Sequence, residues 1–578
     1  MQKQDLHMRD CLPSSVPLKN SYYHGTCTEP LSGNTIGDVL EDAAKQNPDH
    51  VVFRTHEYQE QITISDLKLR ADEVSKALVA SGLQRGDIVF LVGVTDIEYF
   101  VLYYGITQIG LSFHFPQLSE PIEMDTATYC KHNPALIFVG RDHPSATIPV
   151  IDEYQQNHKV QGRVPVPVIL VNTSIQNSNF TDYKSFLQHG DTINKDEFLA
   201  RSKQVSIDDI AVLFDSSGTT SGKSKTACVS HHTLVNAAKF SRRAYTSTAP
   251  SVIGVLNPTI DDAGCTLQVT CTVYHRAVCV MGPTSMTPTV DAVEVFMAFI
   301  DKEKITWYNG LPFELIHAMN SPKRSNYDLS SLRGGNLLGQ VTRSDTKKKL
   351  LQFFKDSVTL FGSTEAFSGL STSPVHSSLE QRINTVGYGY PHTEIKLVDS
   401  NNVVVPIGEQ GELCVRGWTV FKQYLHDEEL TARAKDITKN GWYHYGDICT
   451  MDETGHVTYI GRKADCVRYK HFSDVVYPVQ ILSVIETNKK VQNAKVIGIQ
   501  SDEKGDDICL CVEPKPNCTV TETELKDSLK EKLIASLLPD HYFIFEEFPR
   551  IGARKKIALN GLKDIVESKL TEERRISK

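Results

Sequence analysis

The sequence lacks a long apolar run and lacks an excess of positive charge. The best candidate for a membrane-spanning segment, residues 88–113, is interrupted by Asp96 and Glu98, whereas a spanning helix needs about 18 to 20 uncharged apolar residues. Lys and Arg number 61 against 70 Asp and Glu, which gives a net charge of −9. Because general nucleic-acid binding needs a basic face, the sequence predicts no transmembrane segment and no nucleic-acid partner.

Cysteine is also sparse. The chain has 13 Cys among 578 residues and no CxxC pair, which excludes a disulfide scaffold. We interpret the thiols as reduced packing residues of an intracellular protein. Cys509 and Cys511 lie on an apparent strand, where we expect one to be buried and the other not.

The N-terminal composition is not typical of a targeting segment. The first 20 residues carry Lys3, Arg9 and Lys19 together with Asp5 and Asp10. Transit peptides are rich in Arg and avoid acidic residues, and no apolar signal-peptide core is present. This composition favours the cytoplasm, and we expect residues 1–21 to form a loose tail.

What remains is an ordinary globular composition with alternating helices and strands. A helical apolar pattern begins at Ile36 and ends before Pro48, and a second helix follows a Ser65 cap and stops near Gly82. Residues 88–92 form a short, fully apolar run that suits a buried parallel strand. Alternation of this kind predicts an α/β fold.

The pattern of predicted strands and helices changes near residue 461. Two apparent strands, residues 494–499 and 508–512, precede a charged helix around residues 522–537. We therefore expect a large N-terminal domain of stacked α/β subdomains over residues 22–460 and a small C-terminal α+β domain over residues 465–570.

The most informative segment is residues 214–225, where a strand leads into small hydroxyl residues, glycines and two lysines. Glycine lets backbone N–H groups approach an anion, hydroxyls donate to phosphate oxygens, and lysine supplies positive charge. A Walker A loop needs four residues between its glycines, but Gly218 and Gly222 enclose three, and the residues after Lys225 look like a strand. A Ser/Thr-rich surface turn stays open as the alternative on this segment alone.

Several motifs together resemble the adenylate-forming superfamily, which contains acyl-CoA synthetases, luciferases and peptide-synthetase adenylation domains. The resemblance covers roughly residues 22–570 in the order of that superfamily. It is closest to the mitochondrial-type medium-chain acyl-CoA synthetases, at Tyr22-Tyr23-His24-Gly25, at residues 386–394 and at Val476-Tyr477-Pro478. The general motifs are Ser217-Gly218-Thr219-Thr220 with Lys225 and His231, Phe361-Gly362-Ser363-Thr364-Glu365, residues 411–417, Tyr445-Gly446-Asp447 and Gly461-Arg462.

The resemblance implies an acid–thiol ligase. Such an enzyme would use ATP and Mg²⁺ to convert a fatty acid, expected to be of medium chain length, to acyl-AMP with release of pyrophosphate. Coenzyme A would then take the acyl group and release AMP. The resemblance also implies a hinge at residues 461–464, a mobile C-terminal domain, and the mitochondrion as the alternative compartment.

Roles follow residue by residue from the resemblance. Most of the implied site residues would hold the nucleotide, one would hold the metal, and two would act on the reacting groups. Ser217, Gly218, Thr219, Thr220 and Lys225 would hold the β- and γ-phosphates, Glu365 would bind Mg²⁺, Thr364 would contact the α-phosphate, Gly339 and Gln340 would pack the adenine, Asp447 would accept from both ribose hydroxyls, Arg462 would touch ribose or phosphate, and Lys556, with Lys555 as runner-up, would be the catalytic lysine.

The sequence also departs from the superfamily pattern. There is one extra residue between Thr220 and Lys225, Ala464 replaces the usual hinge residue, and residues 469–474 contain no glycine where a glycine-rich loop is expected. Asp261 and Asp262 stand near the expected acyl site. These departures favour two alternatives: a degenerate member that binds nucleotide without turnover, or an adenylating enzyme that makes no CoA thioester.

Overall fold

The computed structural model describes residues 13–116, 128–142, 144–173, 179–216, 225–241, 251–256, 258–286, 292–310, 312–337, 344–374, 376–435, 440–469, 474–501, 505–551 and 556–576. Within these ranges the chain is a mixed α/β protein, as predicted. Its strands form two large sheets, a five-stranded antiparallel sheet and a C-terminal group.

The first large sheet has eight strands with a parallel centre. The run predicted at residues 88–92 is a central strand, and its last four residues are buried. It pairs in parallel with a strand on each side, which explains why its sequence is apolar without alternation. In spatial order the strands are β20 (Gln423–Tyr424), β10 (Lys225–Ser230), β9 (Ile210–Ser216), β5 (Ser112–His114), β4 (Ile88–Val92), β6 (Leu136–Val139), β7 (Val168–Leu170) and β8 (Thr181–Asp182).

The second large sheet has nine strands, and again the central pairs are parallel. The antiparallel pairs lie at its two ends. In spatial order the strands are β17 (Tyr388–Gly389), β16 (Ala366–Thr372), β15 (Val358–Ser363), β14 (Gly334–Leu337), β13 (Trp307–Gly310), β11 (Val252–Val255), β12 (Val278–Met281), β2 (Val51–Thr55) and β3 (Gln61–Thr63).

Helices pack between and around these sheets. The helix at residues 98–107 is buried on all sides, and its Phe100 stacks on Phe53 of β2 at 4.0 Å between ring centroids. One apolar core therefore joins the two sheets. The helices are α1 (Ile36–Gln46), α2 (Ile64–Ala80), α3 (Glu98–Thr107), α4 (Pro144–Val160), α5 (Tyr183–His189), α6 (Lys195–Ser202), α7 (His231–Ser241), α8 (Pro258–His275), α9 (Val293–Glu303), α10 (Pro312–Asn320), α11 (Ser344–Phe353), α12 (Leu379–Asn384), α13 (Glu428–Lys435), α14 (Pro478–Ile485), α15 (Glu522–Lys530) and α16 (Leu559–Ile576).

The predicted cap of the second helix was wrong by two residues. Helix α2 begins at Ile64, and Thr63 is its N-cap, with its side chain accepting from the Asp66 N–H. Ser65 therefore lies in the first turn of the helix. Its Oγ is 3.1 Å from Thr63 Oγ1. Both residues suit a cap, and the strand β3 that leads directly into the helix decides between them.

The five-stranded antiparallel sheet brings the N-terminal residues against the later motifs. β1 pairs with β18, which places Tyr22 beside Lys396. The run expected at residues 386–394 spans β17 and the start of β18. In spatial order the strands are β1 (Tyr22–His24), β18 (Thr393–Val398), β19 (Gly411–Gly417), β21 (Tyr443–Met451) and β22 (Val457–Arg462).

Gly387 illustrates why glycine is needed in this run. Its φ is +87°, and a Cβ there would overlap the backbone carbonyl of Thr372. We expect Gly387→Ala to lower the free energy of unfolding by about 3 kcal/mol, because a left-handed conformation and a backbone clash combine. Gly408→Ala is the matched control: its φ is +82° and nothing lies within 4 Å of the new methyl group, so we expect a loss of about 1 kcal/mol. Calorimetric melting of both variants measures the difference, and equal melting temperatures would contradict it.

The C-terminal strands have their own core and fit the predicted α+β pattern. The expected strands are both present but longer, and the charged helix ends at Lys530, with a single 3₁₀ turn following at Ala535–Leu537. The strands are β23 (Val467–Tyr469), β24 (Asp474–Val476), β25 (Val491–Ser501), β26 (Gly505–Pro514), β27 (His541–Ile544), and the pair β28 (Arg550–Ile551) and β29 (Lys556–Ile557).

The expectation for Cys509 and Cys511 was wrong. Both are fully buried in β26 and share one cluster with Phe543 and Leu562. Residues two apart in a strand lie on the same face, and the opposite face of β26 is covered as well. Every cysteine of the described residues carries a free thiol.

The limits of the predicted domains stay predictions. β22 ends at Arg462, and a 3₁₀ turn at Lys463–Asp465 follows before β23, so the expected hinge begins inside the last residues of a strand. Over the described residues, no helix is both long enough and apolar enough to span a bilayer.

Candidate active site

Glu365 lies in the tight turn between β15 and β16. The two strands pair with Ser363 opposite Ala366, so Thr364 and Glu365 form the turn. The Ser363 hydroxyl accepts from the backbone N–H of Glu365 at 3.2 Å and of Ala366 at 3.3 Å. This local hydrogen bonding orients the turn and leaves the Glu365 side chain half-buried.

Tyr424 connects Glu365 to Lys225. The Tyr424 hydroxyl donates to Glu365 Oε1 at 2.8 Å, and Lys225 Nζ lies over the Tyr424 ring at 5.6 Å from its centroid. Strand β20 carries Tyr424 against Ala227 of β10, two residues beyond Lys225. The Phe421 N–H, which donates to the Glu365 carbonyl at 2.9 Å, holds the same segment against the turn.

The pKa of Tyr424 favours its role as a hydrogen-bond donor to Glu365. Burial raises the pKa of Tyr424 well above its usual value, and the negative charge of Glu365 adds to the effect. The phenol therefore stays protonated and donates to the carboxylate throughout the physiological range.

A row of aromatic rings joins Glu365 to Asp447. Tyr443 packs on Phe421 at 5.6 Å between centroids and on Tyr445 at 5.7 Å. Tyr445 in turn packs on Phe361 at 5.7 Å. The aromatic contacts thus run from the Glu365–Tyr424 pair through Phe421 and Tyr443 to Tyr445, which lies two residues before Asp447 on β21.

Asp447 is a buried carboxylate paired with one arginine. β21 and β22 place Asp447 opposite Arg462, and Arg462 Nε lies 3.1 Å from Asp447 Oδ1. This contact lacks the alignment of a hydrogen bond, so Oδ1 is buried with no hydrogen-bond partner among the described residues. Arg462 also donates to the Tyr445 carbonyl at 3.2 Å.

The electrostatics of Asp447 follow from its burial. Only 1% of the residue is exposed, and desolvation raises its pKa to about 7, although the charge of Arg462 opposes the rise and that of Asp465 adds to it. A buried acceptor without a donor is costly, and a pair of ribose hydroxyls would supply two donors. A ribose hydroxyl would thus supply the donor that Oδ1 lacks.

Other predicted site residues are not placed by the structure. Lys556 pairs with Ile551 through β28 and β29, but only its backbone is described. The side chains of Asp261 and Asp262, near the start of helix α8, also lie outside the described residues. The predicted residues that lie wholly outside them are Ser217, Gly218, Thr219, Thr220, Gly339, Gln340 and Lys555.

Two residues of the site were not predicted from the sequence. Tyr424 holds Glu365, and Tyr443 bridges toward Asp447. The signal for Tyr443 was present, because Tyr443, Tyr445 and Asp447 alternate along one strand and so share a face. No pattern announced Tyr424, which reaches Glu365 across 59 residues of chain.

The chain is similar to known proteins in both sequence and fold. The profile of the family described as AMP-binding enzyme matches residues 40–425. The medium-chain acyl-CoA ligase ACSF2, mitochondrial, of Danio rerio is 27% identical, with 96% of this chain and 93% of the relative covered. The acyl-CoA ligase sidI of Aspergillus fumigatus is 26% identical, with 95% and 92% covered.

Two solved structures illustrate the shared fold. The anthranilate CoA ligase AuaEII in complex with anthranoyl-AMP is 20% identical with a TM-score of 0.78, covering 94% of this chain and 99% of that chain. The o-succinylbenzoate CoA synthetase (MenE) of Bacillus subtilis, in complex with an acyl-adenylate, is 18% identical with a TM-score of 0.72, covering 92% and 99%. At these identities the likeness concerns the fold alone.

Proposed function

The chain belongs to the AMP-binding enzyme family, whose acyl-CoA ligases use ATP, Mg²⁺ and coenzyme A, and we propose that it activates a medium-chain fatty acid to an acyl-CoA. The proposal is supported by a continuous line of contacts, which runs from Lys225 through Tyr424 to Glu365 and along aromatic rings to Tyr445 on the strand that carries the buried Asp447. The presence of medium-chain acyl-CoA ligases among the similar proteins supports the choice of acid.

The proposed reaction has two steps, adenylation of the acid and transfer of the acyl group to coenzyme A. A carboxylate oxygen of the acid attacks the α-phosphorus of ATP, the bond from that phosphorus to the bridging oxygen breaks, and pyrophosphate leaves with the electron pair. The acyl-AMP is then attacked at its carbonyl carbon by the thiolate of coenzyme A, and AMP leaves. Positioning and electrostatics dominate steps of this kind.

The side chains divide this work. Asp447 accepts from the two ribose hydroxyls and fixes the nucleoside, with Arg462 holding the carboxylate in place. Lys225 neutralises phosphate charge near the Tyr424 ring. Glu365, which accepts a hydrogen bond from Tyr424, would hold Mg²⁺, and the ion would offset the charge that builds on the phosphate oxygens. Thr364, beside Glu365 in the same turn, contacts the α-phosphate.

The first experiment separates the adenylation and thioester steps. Pyrophosphate release is measured with saturated acids from short to long chain, and acyl-CoA is then assayed by mass spectrometry. We expect release that is highest with medium-chain acids and acyl-CoA that appears only when coenzyme A is added. Release without acyl-CoA would leave adenylation standing and exclude the thioester step, and no release with any acid would contradict the proposal.

The variant Lys556→Ala tests whether the chain catalyses adenylation or only binds nucleotide. We expect Lys556→Ala to lower pyrophosphate release about 10- to 100-fold, the effect of losing one charge-assisted hydrogen bond to the transition state. ATP affinity, measured by calorimetry, is expected to change less than threefold. Lys563→Ala, on helix α16, is the matched control and is expected to keep full activity. Equal rates in all three proteins would show that Lys556 does not act.

The names of the similar proteins suggest a compartment. ACSF2 is named as mitochondrial in several animals, and we propose the mitochondrion in place of the cytoplasm favoured by the N-terminal composition. Fractionation of cells that produce the full chain with a C-terminal tag decides between them.

A further inference from the structure

Two histidines and one aspartate meet near the C-terminal end of β9. His114, the last residue of β5, has Nε2 at 3.1 Å from Asp215 Oδ2. His132, on the helical turn at residues 128–132, has Nε2 at 3.5 Å from Asp215 Oδ1. Both histidines are buried, and the Asp215 side chain is 30% exposed. The three ligand atoms lie within 4.8 Å of one another.

The hydrogen bonds of the two rings fix where their protons lie. His114 Nδ1 is 2.9 Å from the Leu213 carbonyl, and His132 Nδ1 is 2.7 Å from the Thr128 carbonyl. A carbonyl oxygen only accepts, so each Nδ1 carries a proton and donates it. In the neutral ring, each Nε2 then directs a lone pair toward the Asp215 carboxylate.

The polar groups beside Asp215 include the Thr226 hydroxyl and the Lys131 ammonium, whose Nζ donates to Thr226 Oγ1 at 3.3 Å. The Thr226 hydroxyl lies 2.6 Å from Asp215 Oδ1 and 3.0 Å from His132 Nε2, but its single proton can serve only one of them. Protonating both rings is opposed because they stack face to face, with centroids 4.7 Å apart and 8° between the planes. A divalent cation between the three groups could take a lone pair from each Nε2 and pair with the Asp215 carboxylate.

We propose that His114 Nε2, His132 Nε2 and an Asp215 oxygen bind a divalent transition-metal ion of the zinc class. Two imidazoles and a carboxylate are an ordinary zinc ligand set, and the exposed side of Asp215 gives an entry path and an open coordination position. The backbone carbonyls that receive both Nδ1 protons are the usual outer partners of metal-bound histidines. A tetrahedral ion with bonds of about 2.1 Å spaces its ligands by about 3.4 Å, so binding draws the rings slightly together.

The position of this site gives it a structural role. Asp215 and Thr226 are partners across β9 and β10, and between these strands runs the segment with Ser217 and Thr220. An ion at Asp215 would therefore stabilise the paired ends of β9 and β10. The site is distinct from the one proposed at Glu365, because nitrogen ligands select zinc over Mg²⁺. It stands on its own geometry and does not depend on the proposed reaction.

The test titrates ZnCl₂ into chelator-treated full-length protein by calorimetry, without nucleotide and with a large excess of MgCl₂. We expect one zinc per chain and a higher melting temperature. His132→Gln and Asp215→Asn are each expected to weaken zinc binding about 100-fold. His189→Gln, an exposed histidine on α5, and Cys130→Ser, an exposed thiol two residues before His132, are the matched controls and are expected to bind as the unchanged protein does.

A second measurement needs no variant. X-ray absorption of the zinc-loaded protein is expected to show nitrogen and oxygen ligands with two imidazoles and no sulfur. Sulfur in the ligand shell, full binding in both cluster variants, or no zinc binding by the unchanged protein would each overturn the proposal. Pyrophosphate release enters none of these readouts, so a failure of the proposed reaction would not be mistaken for a failure of the metal site.

Discussion

Glu365→Gln is expected to lower acid-dependent pyrophosphate release about 100- to 1,000-fold at fixed Mg²⁺. The amide has the shape of the carboxylate but no negative charge, so it is a weak ligand for a hard cation. The loss of one preorganised electrostatic contact to the reacting phosphate accounts for an effect of this size. The amide also brings N–H donors to a side chain that now accepts from Tyr424. The measurement is the initial rate of pyrophosphate release as a function of Mg²⁺ concentration.

Two further variants separate charge from orientation at this position. Tyr424→Phe keeps the carboxylate but removes the donor to Oε1, so we expect a roughly tenfold higher Mg²⁺ requirement and a nearly unchanged rate at saturating Mg²⁺. Glu380→Gln, an exposed glutamate on α12, is the matched control and is expected to behave as the unchanged protein. A rate for Glu365→Gln within threefold of the unchanged protein at low Mg²⁺ would exclude Glu365 as the metal ligand.

The parts of the fold that could be predicted are those where the local sequence pattern matches the burial that the tertiary structure imposes. The run at residues 88–92 is apolar because both faces of a central parallel strand are covered, and the structure has it at those residues. The choice between Thr63 and Ser65 as a cap could not be made locally, since either side chain can accept. It depends on where β3 ends.

The same division applies to the candidate site. Glu365 and Asp447 stand in short motifs whose spacing survives in a single sequence, so both could be proposed as ligands. The contacts that orient them could not be predicted. Tyr424 reaches Glu365 through pairing between distant strands, and the pairing of Asp447 with Arg462 depends on the register of β21 and β22. The histidine and aspartate cluster was missed for a related reason. His114, His132 and Asp215 are scattered over 101 positions of the chain, and only the neighbouring strands β5 and β9 bring two of them together.

Asp447→Asn is expected to weaken binding of adenosine about 100-fold at pH 8 and to abolish its pH dependence. In the unchanged protein burial raises the pKa of Asp447 to about 7. Ribose hydroxyls donate hydrogen bonds, so the ionised carboxylate is the form that binds them. Affinity should therefore rise about tenfold from pH 6 to pH 8, as the ionised fraction grows, and then level off. Adenosine is the probe because it has no phosphate that titrates in this range.

Control ligands and variants assign the effect to this contact. 2′-Deoxyadenosine and 3′-deoxyadenosine each lack one hydroxyl, and each is expected to bind the unchanged protein more weakly and Asp447→Asn almost equally. Asp465→Asn should keep the pH dependence but move its midpoint to lower pH, because the negative charge of Asp465 is one cause of the raised pKa. Adenosine affinity that is flat from pH 6 to pH 8 in the unchanged protein would contradict the assignment.

Stability should change in the opposite direction to affinity. The pKa of Asp447 is about 7 in the folded protein and about 3.9 in the unfolded chain, so between these values the folded state holds a proton that the unfolded state has lost. The free energy of unfolding therefore falls as pH rises from about 4 to 7 and stays low above that. Asp447→Asn removes this cost and is expected to raise the free energy of unfolding at pH 8 by on the order of 3 kcal/mol, with little change near pH 4. A variant that binds nucleoside less well yet melts at a higher temperature at pH 8 would show that the buried charge is retained for binding. Destabilisation at pH 8 would instead assign Asp447 a structural role with Arg462.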